Sequence, residues 1–176
     1  MESEHTINVE TLDGGDLATD LGYGIKVNDK STMRRSWVVL NDPLCPVRLS
    51  KVGITTEYRQ ERYRLRAAGE AIPLDSLSAF ETRFVLYDTF GDHLKTLSLS
   101  EIQDHPTGHA VKLSDVGSWS AFNNEETYLL SVVSFVARAR TAHGSVWRYR
   151  EEAISECLER IRLKVAVGAL EVSKQT

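Results

Sequence analysis

The fold turns on "TYLLSVVSFVARAR", Thr127 to Arg140. Its middle is apolar at both parities, with Leu130, Val132 and Val136 on one side and Leu129, Val133, Phe135 and Ala137 on the other. Successive strand side chains point to opposite faces, so this pattern means burial on both. The stretch reads as a central strand, or as one covered by a further element. It runs into Ala142-His143-Gly144-Ser145, a turn signal, and returns as "VWRYR", which predicts a β-hairpin.

Upstream, "AFETRFVLYDTFGDHLKTLS", Ala79 to Ser98, alternates apolar and polar residues and turns at Phe90-Gly91-Asp92. Phe80, Thr82, Phe84 and Leu86 share one face, which is read as core; Glu81, Arg83, Val85 and Tyr87 share the other. Glu81 and Arg83 are expected to face solvent or a neighbouring strand, a structural role. Short β-rich runs precede it: "SWVVL" before Asn41-Asp42-Pro43, "VRLSKVGITT" after Pro46, and "YRLRA" before Gly69. Such spacing predicts an antiparallel all-β sandwich rather than alternating β and α units. The polar stretch from Ser100 to Glu126 has room for short strands around Val111 to Leu113 and Trp119 to Phe122.

After Trp147 the period changes. "EEAISECLERIRLKV" places Ile154, Leu158, Ile161 and Val165 at steps of 4, 3 and 4, the stripe of an amphipathic helix. Glu151 and Glu152 at its start and Arg160, Arg162 and Lys164 near its end suit the helix dipole. This helix has to cover something apolar, and the spare face of the long strand, an open end of the sandwich or a partner chain are the candidates. The domain plan is an acidic, irregular, flexible arm over 1–34, a β-sandwich over 35–150, the helix over 151–168 and a frayed tail over 169–176.

Charge is unevenly spread. Residues 1 to 32 hold seven acids (Glu2, Glu4, Glu10, Asp13, Asp16, Asp20, Asp29) against Lys26 and Lys30, net -5, which leaves the remainder at +1 within a total of -4. A binder driven by counterion release is usually net basic, so bulk charge gives nucleic-acid binding no support. No apolar run reaches the length of a membrane span, and "MESEHTINVE" lacks a secretory pattern, so a cytoplasmic location is expected. Cys45 and Cys157 are read as free thiols, with Cys45 in the Pro-flanked loop as the exposed one and Cys157 as core packing.

Taken together, "WVVLNDPLCPVRLSKVGI", "SAFETRFVLYDTFGDHLKTLS" and "TYLLSVVSFVARARTAHGSVW" resemble bacterial immunoglobulin-like or fibronectin-III-like sandwich domains. The resemblance spans roughly Trp37 to Trp147 and implies that Leu86 to Gly91 form a corner carrying the chain between sheets. No cysteine pair brackets a tryptophan at the antibody spacing. Folds of this kind host many functions, so the resemblance implies only a binding or scaffolding role.

Three constellations carry possible chemistry. His93, His105 and His109 are the candidate metal ligands, although Pro106 and Gly108 interrupt any helix that would align the last two. The run "YRQERYRLRA" sets Arg59, Arg62, Arg64 and Arg66 among tyrosines, a pattern for a nucleic acid or an acidic partner, or simply the charged face of an edge strand. Trp119 in "GSWSAF" is the tryptophan most suited to an interface. There is no Gly-x-Ser-x-Gly elbow and no phosphate loop ending in Gly-Lys-Ser/Thr. The chain is thus expected to be a non-enzymatic binding or assembly module with a protein partner or a second copy of itself and no cofactor. A histidine-loop metal protein or small enzyme, and a nucleic-acid-associated protein, are the alternatives.

Overall fold

The computed structural model describes residues 5–20, 22–59, 62–121, 129–164 and 168–172, with the side chains at 56–59, 62–64 and 114–121 excepted. The long apolar stretch forms β10, Leu129–Thr141, and lies inside a mixed sheet. One edge of β10 pairs antiparallel with β7, Leu77–Asp88, setting Val133 opposite Val85 and Ser134 opposite Phe84. The other edge pairs with β4, Arg34–Asn41, over Ser131 to Phe135, and then with β11, Val146–Arg148, over Arg138 to Arg140. β1, Asn8–Asp16, and β8, His93–Glu101, close the two sides, giving the order β1-β4-β10-β7-β8.

The β4–β10 pair is parallel. That departs from the all-antiparallel expectation, and the physical reason is the connection. Parallel neighbours need a crossover, and here β5, Val47–Arg59, β6, Arg62–Pro73, and β9, Val111–Ala121, lie between them in sequence and form a separate sheet in the order β5-β6-β9. One continuous strand, β9, spans the places where one or two short strands were expected. Gly69 stands inside β6, not beyond its end, at a bulge in β5 where a Cβ would lie 2.3 Å from the Lys51 carbonyl oxygen.

The two faces of the mixed sheet carry separate cores. Toward the small sheet, Trp37, Val39, Phe84, Leu86, Val132 and Val136 pack with Leu49, Ile54, Leu65 and Leu113. On the opposite face, Val38, Leu40, Val85, Tyr87, Val133 and Phe135 pack beneath α1, Glu151–Arg160. A fully buried Val or Leu contributes about 1.5–3 kcal/mol, so each face is a substantial part of the total. Both parities of β7 are therefore core, which extends the expectation for Val85 and Tyr87. A register shift between Leu129 and Ser131 moves Leu129 to the inter-sheet core, against the simple parity count.

Four local expectations need correction. Phe90-Gly91-Asp92 is the turn of an in-sheet hairpin between β7 and β8, so it carries no chain between sheets; Gly91 holds a positive φ of 78° there. The helix ends at Arg160, well short of 168, because Arg162 turns to a φ of 63° and Leu163 N–H bonds back to the Leu158 carbonyl. Beyond it, Ala169 and Leu170 are buried where a frayed tail was expected: the Thr96 hydroxyl donates to the Ala169 carbonyl and Arg83 Nη1 to the Leu170 carbonyl at 2.9 Å. Val165 lies outside the described residues.

The fourth concerns the arm. Residues 8–16 are β1, paired antiparallel with β4, and Ile7 and Leu17 on either side are buried. A Cβ on Gly14 would come within 2.6 Å of the Trp37 ring, so only glycine lets the strand lie on that indole. A short ladder follows, β2, Thr19–Asp20, with β3, Lys26–Val27. Its base is held by the buried Arg35, which donates from Nη1 to Thr19 Oγ1 and from Nε to the Leu129 carbonyl, both at 2.8 Å. Among the described residues no helix is long and apolar enough to cross a membrane.

Candidate functional site

At the Arg138 end of β10 the helix-covered face runs out from under α1 and becomes charged. A bulge between Val136 and Arg138 shifts the parity of the strand. Arg138 and Arg140 are turned outward by it, while Ala139 enters the inter-sheet core. The register then builds one rung across four strands, with Arg138 opposite both Glu81 and Arg148 and Glu81 opposite Ser100. In the next rung Arg140 lies opposite Ala79 and Val146.

Glu81 is only 5% exposed, so its charge has to be met by protein. Oε1 accepts from Arg83 Nε at 3.0 Å, and Oε2 accepts from Arg138 Nε at 2.7 Å and lies 2.6 Å from Arg138 Nη2. Arg83 is fixed in turn by the Tyr149 ring, 5.2 Å from its guanidinium carbon, and by the Leu170 carbonyl. Glu81 therefore orients two arginines. Arg140 and Arg148 are exposed and make no ion pair among the described residues.

Between these side chains lies a groove of about 280 Å³, floored by Ala79, Phe80 and Ala139. Ile102 and Val146 stand on its rim at 83% and 50% exposure. Guanidinium groups hold carboxylates and phosphates through paired N–H donors and stack on aromatic faces. Apolar side chains held in water beside them favour a partner with its own apolar surface. The arrangement can bind an anionic group attached to an apolar or aromatic body.

The expected metal ligands do not meet. His93 pairs with Tyr87 across β7 and β8, while His105 bridges to Leu77 at the far end of β7. Ten residues of strand separate those two positions, about 33 Å. His93 Nε2 lies 2.8 Å from Thr96 Oγ1, and burial pushes its pKa below the ordinary value. His105 is buried with its ring centroid 5.5 Å from that of Phe80, and His109 is exposed in a turn. Among the described residues no three His, Cys, Asp or Glu side chains form a group able to hold a metal ion. The histidine-site expectation is corrected accordingly: loop histidines close in sequence are carried apart by the strand between them.

Of the expected interaction residues, Arg59 ends β5 directly opposite Arg62 at the start of β6, and Arg64 and Trp119 lie within β6 and β9. The side chains of Arg59, Arg62, Arg64 and Trp119 fall outside the described residues. Arg66 is half-buried, opposite Thr55 and Ser118. Arg66 is not among the residues lining the groove. Cys45 is buried, against expectation, and burial raises its thiol pKa to about 12. Sequence reading passed over Arg138, Arg140 and Arg148, whose signal was the alternation in "ARAR" followed by "VWR" across a tight turn. Alternation sets two arginines on one face, and the hairpin adds a third.

No protein-family model and no curated protein matches the chain. It is similar to a hypothetical protein from Peptoclostridium difficile 630, solved by X-ray crystallography at 1.85 Å, with a TM-score of 0.47 and 11% identity over 74% of this chain and 98% of that one. At that level the likeness carries no functional assignment.

Proposed function

We propose that this protein is a non-enzymatic binding or assembly module that engages a protein partner through the arginine-lined groove. The observation that carries this reading is the pairing of two arginines free of any described ion pair, Arg140 and Arg148, with the exposed Ile102 and Val146 around one cleft. Charged and apolar contacts side by side give a protein interface both orientation and affinity. The one carboxylate in the groove is committed to Arg83 and Arg138. The two stacked sheets support an architectural resemblance to immunoglobulin-like or fibronectin-III-like sandwiches, while the parallel β4–β10 pair and the helical layer lie outside that pattern. A total charge of -4 lends a polyanion no support.

A photo-crosslinking amino acid at position 102, expressed in the native cell, tests the proposal. A discrete protein adduct is expected, and it should vanish when Arg140→Glu is added. With no adduct at position 102 above that of a control at the exposed Thr107, the proposal fails.

A further inference from the structure

Glu81 and Arg83 share the helix-covered face of β7, and between them they join the groove to the C-terminal segment. Arg138, in the groove wall, donates from Nε to Glu81 Oε2 at 2.7 Å, and Arg83 donates from Nε to Oε1 at 3.0 Å. The far edge of the Arg83 guanidinium donates from Nη1 to the Leu170 carbonyl at 2.9 Å. An unbroken chain of charge-assisted contacts thus runs through Arg138, Glu81, Arg83 and Leu170. Its two middle members are nearly enclosed, with side-chain exposures of 7% and 17%, against 54% for Arg138.

Residues 168–172 form a strap at the end of this chain. Gly168 turns it with a φ of 76°, the Glu171 N–H closes on the Gly168 carbonyl at 3.0 Å, and Leu170 enters the core beneath α1. A short segment anchored by two buried side chains, Ala169 and Leu170, opens more readily than the sheet beneath it. A guanidinium is a rigid plane, so one edge cannot turn without swinging the other. With Arg138 on Oε2, Arg83 meets Glu81 through Nε alone and keeps Nη1 on Leu170. Once Arg138 is lost, the enclosed carboxylate draws both its oxygens onto Arg83, which turns the plane and carries Nη1 off the Leu170 carbonyl.

We propose that strap and groove are coupled through this chain, so that drawing Arg138 off Glu81 undocks the strap at Leu170. An anionic group entering the groove competes with Glu81 for Arg138, and its arrival is thereby passed along β7 to the C-terminal segment. The converse follows by linkage: a docked strap keeps Arg138 clamped on Glu81, and losing the strap frees Arg138 into the groove. The element shared by both states is the Arg83 plane, which serves either Leu170 and the Tyr149 hydroxyl and ring or Glu81 alone. The inference concerns what filling the groove does to the rest of the molecule and holds whichever partner fills it.

Amide hydrogen exchange of the full chain, followed by NMR, tests this. Arg138→Gln should speed exchange of the Glu171 N–H by about 10-fold or more, while the Val133 N–H in the middle of the central strand keeps its wild-type rate. Arg140→Gln removes an equal charge one rung away, outside the chain of contacts, and should change neither rate. Adding Glu81→Gln to Arg138→Gln removes the carboxylate that turns Arg83, so protection of the Glu171 N–H should return toward the wild-type level. A wild-type rate at Glu171 in Arg138→Gln, an equal response in Arg140→Gln, or a double variant as exposed as the single overturns the inference. So does a rise at Val133 equal to that at Glu171 in any variant, since the whole sheet would then be opening.

Discussion

Thr82 lies on the inter-sheet face of β7 between Phe80 and Phe84, fully buried, and its hydroxyl has no hydrogen-bond partner among the described residues. A buried unpaired hydroxyl costs about 1–3 kcal/mol. Thr82→Val keeps the shape and removes the group, so it should stabilise the protein by about 1 kcal/mol in urea unfolding; a loss of stability would reveal a partner. Parity alone placed Thr82 in the core, and no sequence pattern could show the empty bonding position. The cysteines teach the converse. A Pro-flanked loop suggested an exposed Cys45, yet its N–H bonds to the Asp42 carbonyl and its thiol packs with Val47 in the inter-sheet core. Cys157 packs in the other core. With both thiols buried and Cys45 pushed up to about 12, Ellman's reagent near pH 8 should label neither in the native state and both in denaturant. Rapid labelling of one native thiol would contradict that burial.

At the scale of elements, periodicity located strands well and their neighbours poorly. The two apolar parities of β10 foretold a covered central strand, because burial on each face acts on individual side chains. The helix boundary was misplaced, and the correctly located β7–β8 turn was read as a corner between sheets, because each depends on tertiary partners: Leu163 and Leu170 fold back, and Asp92 carbonyl oxygen accepts from Asp88 N–H to close a hairpin. That hairpin also has a pH response. His93 at the start of β8 is half-buried beside Tyr87, and burial lowers its folded pKa while a backbone hydrogen bond with Lys95 partly opposes the shift. The unfolded chain therefore takes up the proton first as pH falls. Stability from keeping His93 neutral is complete above the unfolded value of about 6.5 and is lost as pH drops through it toward the folded value. The melting temperature should decline between about pH 7 and pH 5, and His93→Gln should flatten that decline. An equally steep profile in the variant would assign the effect to other groups.

For the whole molecule, composition showed an acidic N-terminal stretch over residues 1–32, and that asymmetry survives in the fold even though the arm does not. Acidic residues without a regular apolar period gave no sign that β1 would be stapled to β4. The information sits in single residues that periodicity ignores: Ile7 and Leu17 are buried anchors, and Gly14 is the gap through which Trp37 meets the strand. The Arg34 guanidinium, 2.5 Å from both Asp13 and Asp16, adds exposed pairs of small energetic weight. If the arm were an appendage, deleting residues 1–32 would leave the core intact. Burial argues otherwise. Loss of Ile7 and Leu17 alone removes about 3–6 kcal/mol of apolar burial, a large share of the roughly 5–15 kcal/mol by which domains are stable. The truncation also uncovers one side of Trp37 and leaves the β4 edge unpaired, a template for aggregation. The truncated chain should accordingly melt at least about 10 °C lower than the full chain, or fail to fold, with tryptophan emission shifted to longer wavelength. A truncation that keeps the full melting temperature would show that the sheet ends at β4 and that β1 only rests on it.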